Sequence, residues 1–167
     1  IANFSKPTIA MIQKYCIGGG CVIALACDLR ISSDTGIFAI TPAKIGLIYS
    51  FAGTKHLVDL VGPSRAKDIL FSGRDLSAYE AYSYGLVDRI VTDDEIVAKT
   101  YEYAKLLTKR AQKTIKGAKY MINAISNGVN TETEEIRNLT ENSYASSDYK
   151  EGVRAFLEKR VPAFKER

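Results

Sequence analysis

Three consecutive glycines, Gly18, Gly19 and Gly20, stand between two cysteines in the stretch KYCIGGGCVIALACDLRIS, residues 14–32. Inside an element each glycine costs roughly 0.5–1 kcal/mol relative to alanine, so three of them ahead of an apolar run imply that bare backbone is needed there. A glycine turn opening a helix aims unpaired N–H groups, and the positive end of the helix dipole, at one spot. Such a spot holds an anion, either a resident phosphate or a negative oxygen that appears only during a reaction. The phosphate use fails on spacing. GGGCVI is neither G-x-x-x-x-G-K-[ST] nor G-x-G-x-x-G, and no lysine follows to reach a phosphate. The oxyanion use remains, alongside the plainer alternative in which the glycines only let a helix pack close to a strand.

The other reactive side chains are sparse. Cys16, Cys21 and Cys27 fall within twelve positions. An odd number with a single histidine in the chain suits neither a disulfide framework nor a metal site, and reduced core thiols are expected. That histidine, His56, falls on a helix and reads as surface or structural. Tyr79, Tyr82 and Tyr84 read as helix packing, and Asp28 as closing a helix or pairing locally.

These residues need elements to hold them. Residues 7–12 read as a strand, followed by a short loop into the glycines and a buried helix from Gly19 to about Asp28. Strands are expected at 29–32 and 36–40 and a loop or broken helix at 43–53. Helices follow at 54–61 and from Pro63, with Ser64 as cap and Gly73 as stop. A further helix is capped by Ser77, with Glu80 three residues on, and ends at Gly85. Residues 85–91 read as a strand, and from Asp93 or Asp94 the chain is helical nearly to its end, with breaks near 110, at 126–130 and around Asp148. Strands alternating with helices and then helices alone define an α/β fold with a helical tail.

The chain of 167 residues is 46% hydrophobic with a net charge of +4, which fits one globular domain. No apolar run approaches the ~20 residues of a membrane span. The start lacks the layout of a signal peptide, so the expected setting is cytoplasmic. The basic residues of KLLTKRAQKTIKGAKY (105–120) are scattered, as on a solvated helix face; an anionic partner such as RNA is the less favoured use.

The segments KPTIAMIQKYCIGGGCVIALACDLRISSDTGIFAI, GLVDRIV and EGVRAFLEKRVPAF together resemble the crotonase, or enoyl-CoA hydratase/isomerase, superfamily over essentially the whole chain. The resemblance implies a core of spiralling ββα units, its C-terminal part at residues 1–92, and a helical oligomerisation region at 93–167, in homotrimers or dimers of trimers. It implies an acyl-CoA thioester as substrate, with coenzyme A carried by the substrate and no separate cofactor or metal. Gly19 would supply one backbone N–H to the enolate oxygen, flanked by Gly18 and Gly20. The family's second donor lies in an N-terminal third with no counterpart in these residues. Phe156 and Lys159 resemble a C-terminal segment that packs near the coenzyme.

Two positions depart from the hydratase pattern. The glutamate after G-G-G-C is Val22 here, and the second glutamate, twenty residues on, is Pro42. Neither moves a proton. Instead, FAITPAKIGLIYS (38–50) resembles the F-x-x-T-P-x-x-x-G-x-x-Y segment of methylmalonyl-CoA decarboxylases, with Thr41, Pro42 and Tyr49 in register. In that branch the enolate forms by loss of CO2. The resemblance implies that Tyr49, with Thr41 second to it, orients the leaving carboxylate through its hydroxyl; an ordinary packed tyrosine is the alternative. Val22 departs from this branch too. A hydratase or isomerase with another acid/base group, or a non-catalytic RNA-binding relative, are the competing expectations.

Overall fold

The β-formers of IAMI and LRISS make strands β1 (Ile9–Ile12) and β3 (Leu29–Ser33), which pair in parallel, Ile9 opposite Leu29. A computed structural model describes residues 1–165. β6 (Arg89–Val91) adds in parallel on the far side of β3. A second three-stranded sheet has the order β2 (Tyr15–Ile17), β4 (Ile37–Ala39), β5 (Leu76–Ser77), parallel in the first pairing and antiparallel in the second. β1 and β2 thus each pass to the next strand pair by a helical crossover. The first is α1 (Gly19–Leu25). After β4 come a 3-10 turn (Pro42–Ile45), α2 (Phe51–Ser72) and, beyond β5, α3 (Ala78–Tyr84). Successive units add one strand to each sheet, so this is a ββα spiral.

The chain forms two compact units. The first comprises Ile1–Phe4 and Thr8–Glu102; the second comprises Ser5–Pro7 and the residues from Tyr103 onward. The core of the first is Ile12, Cys16, Cys21, Leu25, Phe38, Ile40, Leu57, Ile69, Leu76 and Val87 with smaller residues between them. Helices α4 (Ile96–Thr108), α5 (Gln112–Ser126), α6 (Glu134–Ala145) and α7 (Ser147–Leu157) complete the chain.

Several local signals act as their chemistry requires. Ser77 Oγ accepts from the Glu80 amide, and Gly73 and Gly85 close their helices in the left-handed region. Glu80 does not return to the cap as in a capping box. Its carboxylate is taken by Arg74 at 2.6 and 3.0 Å, because that guanidinium offers two donors at once.

Other expectations are corrected. Residues 15–17 are a strand, not part of a loop: the three-residue β2 is defined by its pairing with β4, which alternation in so short a run does not reveal. The helix expected at 54 begins at Phe51, because Ser50 accepts the Gly53 amide and caps it. Gly62 (φ 77°, ψ 166°) interrupts α2 as expected, but Pro63 occupies the first position of the second segment, so the cap falls on Gly62 and not on Ser64. β6 is shorter than the 85–91 run, since Gly85 is spent on the end of α3. Asp28 does not close α1, which ends at Leu25 with Ala26 as its cap. The Asp28 Oδ2 accepts from the amide and hydroxyl of Thr8 at 2.6 and 2.9 Å, twenty residues away.

Candidate active site

The glycine turn is held from both sides. β2 delivers the chain to Gly18, whose N–H donates to the carbonyl of Ala39 at the end of β4 (2.9 Å). The Gly18 carbonyl accepts from the Val22 amide at 3.2 Å and closes the first turn of α1. Gly18 has φ 54° and ψ −112°, a combination that only glycine adopts without strain. Between these bonds, the amides of Gly19 and Gly20 have no acceptor among the described residues. A Cβ added at Gly18, Gly19 or Gly20 would meet nothing within 4 Å. The turn therefore faces open space and presents N–H groups at a helix start, the arrangement that receives an anionic oxygen.

Beneath the turn lie Cys16 and Cys21, both buried. The Cys21 thiol donates to the Cys16 carbonyl at 2.7 Å. A separate side-chain interaction between the two thiols, reinforced by burial, raises the Cys21 thiol far above its ordinary value and lowers that of Cys16. Cys27 is partly exposed, and all three are free thiols.

Tyr49 packs on this core. Its ring borders Gly53, and its hydroxyl oxygen is buried with no hydrogen-bond partner. Burial pushes the phenol up to about 12, helped by the nearby charges that Cys21 and Cys16 would carry. Tyr49 thus lies within electrostatic reach of the two cysteines that bracket the glycines, and it stays a protonated donor at neutral pH. Thr41 lies two residues beyond the Ala39 carbonyl that grips Gly18, at the start of the 3-10 turn; Pro42 is buried and its carbonyl accepts from Leu47. Val22 is half-buried and apolar. No aspartate or glutamate occurs from Lys14 to Cys27 or from Thr35 to Val58, so the segments that build the turn and its surroundings bring no carboxylate. His56 lies half-buried on α2.

Phe156 and Lys159 belong to the second unit. Phe156 is exposed near the end of α7 and borders a cavity of about 390 Å³ shared with Ala111, Thr114, Tyr149, Leu157 and Phe164. Lys159 takes a left-handed conformation, φ 52°, where the chain turns beyond α7. That turn is fastened by Glu151, which accepts from Arg160 at 2.6 and 3.1 Å and from the Ala163 amide at 2.9 Å.

Sequence reasoning missed two contributors. The Ala39 carbonyl carries no side-chain signal. Gly53 reads only as punctuation until the ring of Tyr49 is seen against it. Among the described residues there is no group of three metal-ligating side chains, and no helix long and apolar enough to cross a membrane.

A ββα spiral with a glycine turn of this geometry defines a class, and sequence comparison agrees with it. The family model described as enoyl-CoA hydratase/isomerase matches residues 1–167, and the chain belongs to that family. It is 33% identical over 168 residues to a probable enoyl-CoA hydratase of Mycobacterium bovis, covering all of this chain and 65% of that protein. It is 32% identical to a crotonyl-CoA hydratase of Syntrophomonas wolfei, covering 98% and 64%. Among solved structures, a member of the enoyl-CoA hydratase/isomerase family from Hyphomonas neptunium superposes with a TM-score of 0.95 at 40% identity, over 99% of this chain and 63% of that one. The chain spans 60–65% of the length of the first curated relatives it matches.

Proposed function

We propose that the protein acts on an acyl-CoA thioester by stabilising its enolate oxygen at the Gly19 N–H, and that the enolate arises by loss of CO2 from a carboxylated acyl group. Coenzyme A enters as part of the substrate. The single observation that carries this reading is the Tyr49 hydroxyl: buried, without a partner, and within electrostatic reach of Cys16 and Cys21, the cysteines on either side of the glycines. A desolvated donor of this kind is costly unless something accepts from it, and a substrate carboxylate would.

In this reading the Tyr49 O–H donates to the carboxylate and holds the bond to be broken. The C–C bond breaks, its electron pair passes into the thioester, and the negative charge moves from the carboxylate to the thioester oxygen. Gly19 N–H receives it there, one such donor being worth roughly 3–4 kcal/mol in the transition state. CO2 leaves, and the enolate takes up a proton at carbon from solvent water, which becomes hydroxide. This sequence needs no strong base, which agrees with Val22 and Pro42 at the positions where hydratases carry glutamates.

The test is direct. Full-length protein incubated with methylmalonyl-CoA is expected to release CO2 and form propionyl-CoA, and Tyr49→Phe, which leaves the carboxylate unoriented, to slow this by roughly 100-fold. Absence of turnover together with efficient hydration of crotonyl-CoA would overturn the reading. The names of the Mycobacterium and Syntrophomonas relatives favour that hydratase alternative; it would require an acid/base group from residues outside the two acid-free segments. Assembly as a homotrimer or a dimer of trimers, in the cytoplasm, is part of the proposal, and light scattering of the full-length protein tests the assembly.

A further inference from the structure

Gly53 lies in the first turn of α2, one of few helix positions where the chain gives up a side chain without needing the backbone freedom. Its backbone is helical and, unlike Gly46, Gly62 and Gly73, it does not enter the left-handed region. An alanine there would favour the helix by about 1 kcal/mol, so the backbone does not explain the glycine. Space does. A Cβ at Gly53 would lie 2.6 Å from Cε1 and 3.1 Å from Cζ of Tyr49, and 3.0 Å from the Ser50 hydroxyl that caps the helix by accepting the Gly53 amide. The half-buried ring is packed on the core and its hydroxyl is buried, so a Cβ at Gly53 would displace it from that seat. At Gly19 and Gly20 a Cβ would meet nothing within 4 Å.

We propose that Gly53 is a positioning residue for Tyr49: the missing side chain is the space in which the phenol ring lies, and it sets where the hydroxyl is presented. The consequence for turnover rests on the reading of Tyr49 given above; the placement of the ring does not.

The experiment is made on the full-length protein carrying tyrosines labelled with 13C at Cζ, with the Tyr49 signal assigned by its loss in Tyr49→Phe. In the parent protein this signal is expected to resist alkaline titration beyond the exposed tyrosines. In Gly53→Ala it should shift and titrate with them, and methylmalonyl-CoA turnover should fall at least about tenfold, the double variant Gly53→Ala/Tyr49→Phe being no slower than Tyr49→Phe alone. A folded Gly53→Ala whose Tyr49 signal keeps its shift and titration overturns the proposal. Should Gly53→Ala fail to fold, Gly53→Ala/Tyr49→Ala decides: folding restored by removal of the ring supports the proposal, and continued failure overturns it. If the signal moves as expected while Tyr49→Phe turns over normally, Gly53 stands as the residue that places the ring and the decarboxylation reading falls instead.

Discussion

Arg30 and Asp88, 58 residues apart in the chain, meet at 2.8 Å between Nη2 and Oδ2, and the same carboxylate oxygen accepts the Arg30 backbone amide at 2.7 Å. The remaining guanidinium donors reach the carbonyls of Leu86 and Cys27 at 2.9 and 2.8 Å. One buried cation thus ties β3 both to the segment leading into β6 and to the exit of α1, the helix that carries the glycine turn. Arg30→Ala is expected to cost about 1–3 kcal/mol, measured by urea denaturation, because it leaves the Leu86 and Cys27 carbonyls without their donor, while the solvent-reaching Asp88 keeps the backbone amide of residue 30.

The three glycines should separate in a stability measurement. Gly18→Ala forces a Cβ onto a backbone at φ 54° and ψ −112° and is expected to cost about 1–3 kcal/mol. Gly20→Ala places its methyl group in open space inside a helix and should be neutral or stabilising by up to about 1 kcal/mol. Thermal unfolding of the two variants side by side checks the contrast.

Removing the Tyr49 hydroxyl should leave the protein as stable at neutral pH or more so, since an unsatisfied buried hydroxyl costs about 1–3 kcal/mol. The folded phenol is raised to about 12, against roughly 10 unfolded. Its contribution is therefore complete below pH 10 and lost as pH rises toward 12. Tyr49→Phe lacks that loss, and denaturation midpoints between pH 9 and 12 should fall less steeply than in the parent protein.

Of the three thiols, Cys27 alone should react readily with Ellman's reagent in the native protein. Cys16 and Cys21 are buried and should react only on unfolding. Mass spectrometry of the adducts identifies which sulfur was modified.

Arg160, the Ala163 amide and Arg154 together hold the Glu151 carboxyl well below the ordinary carboxylate range. A depressed carboxyl stabilises fully above its unfolded value, near 4.3, and loses that contribution only as pH falls toward the folded value. The Ala163 amide should accordingly stay protected from hydrogen exchange at pH 4, and Glu151→Ala, which removes the acceptor, should abolish the protection.

Much of the fold is local in origin and was legible in the chain. The strand at Ile9–Ile12, the Ser77 cap, the breaks at Gly62, Gly73 and Gly85 and the helical run after Asp94 all follow from residues interacting with near neighbours. The glycine motif and the replacement of two glutamates by Val22 and Pro42 are properties of residue type, and they already direct attention to an oxyanion site without the usual acid/base pair. Other features depend on partners far along the chain. β2 exists because β4 pairs with it, Asp28 serves Thr8, and Arg30 serves Asp88. Gly18 is held by the carbonyl of Ala39, which no sequence motif marks. Whether Tyr49 is one more packed tyrosine or a buried donor without a partner turns on the core around it and on the missing Cβ of Gly53. Residue types set what chemistry is available; burial and contact between distant segments, which only the folded chain creates, decided which donors are left unpaired.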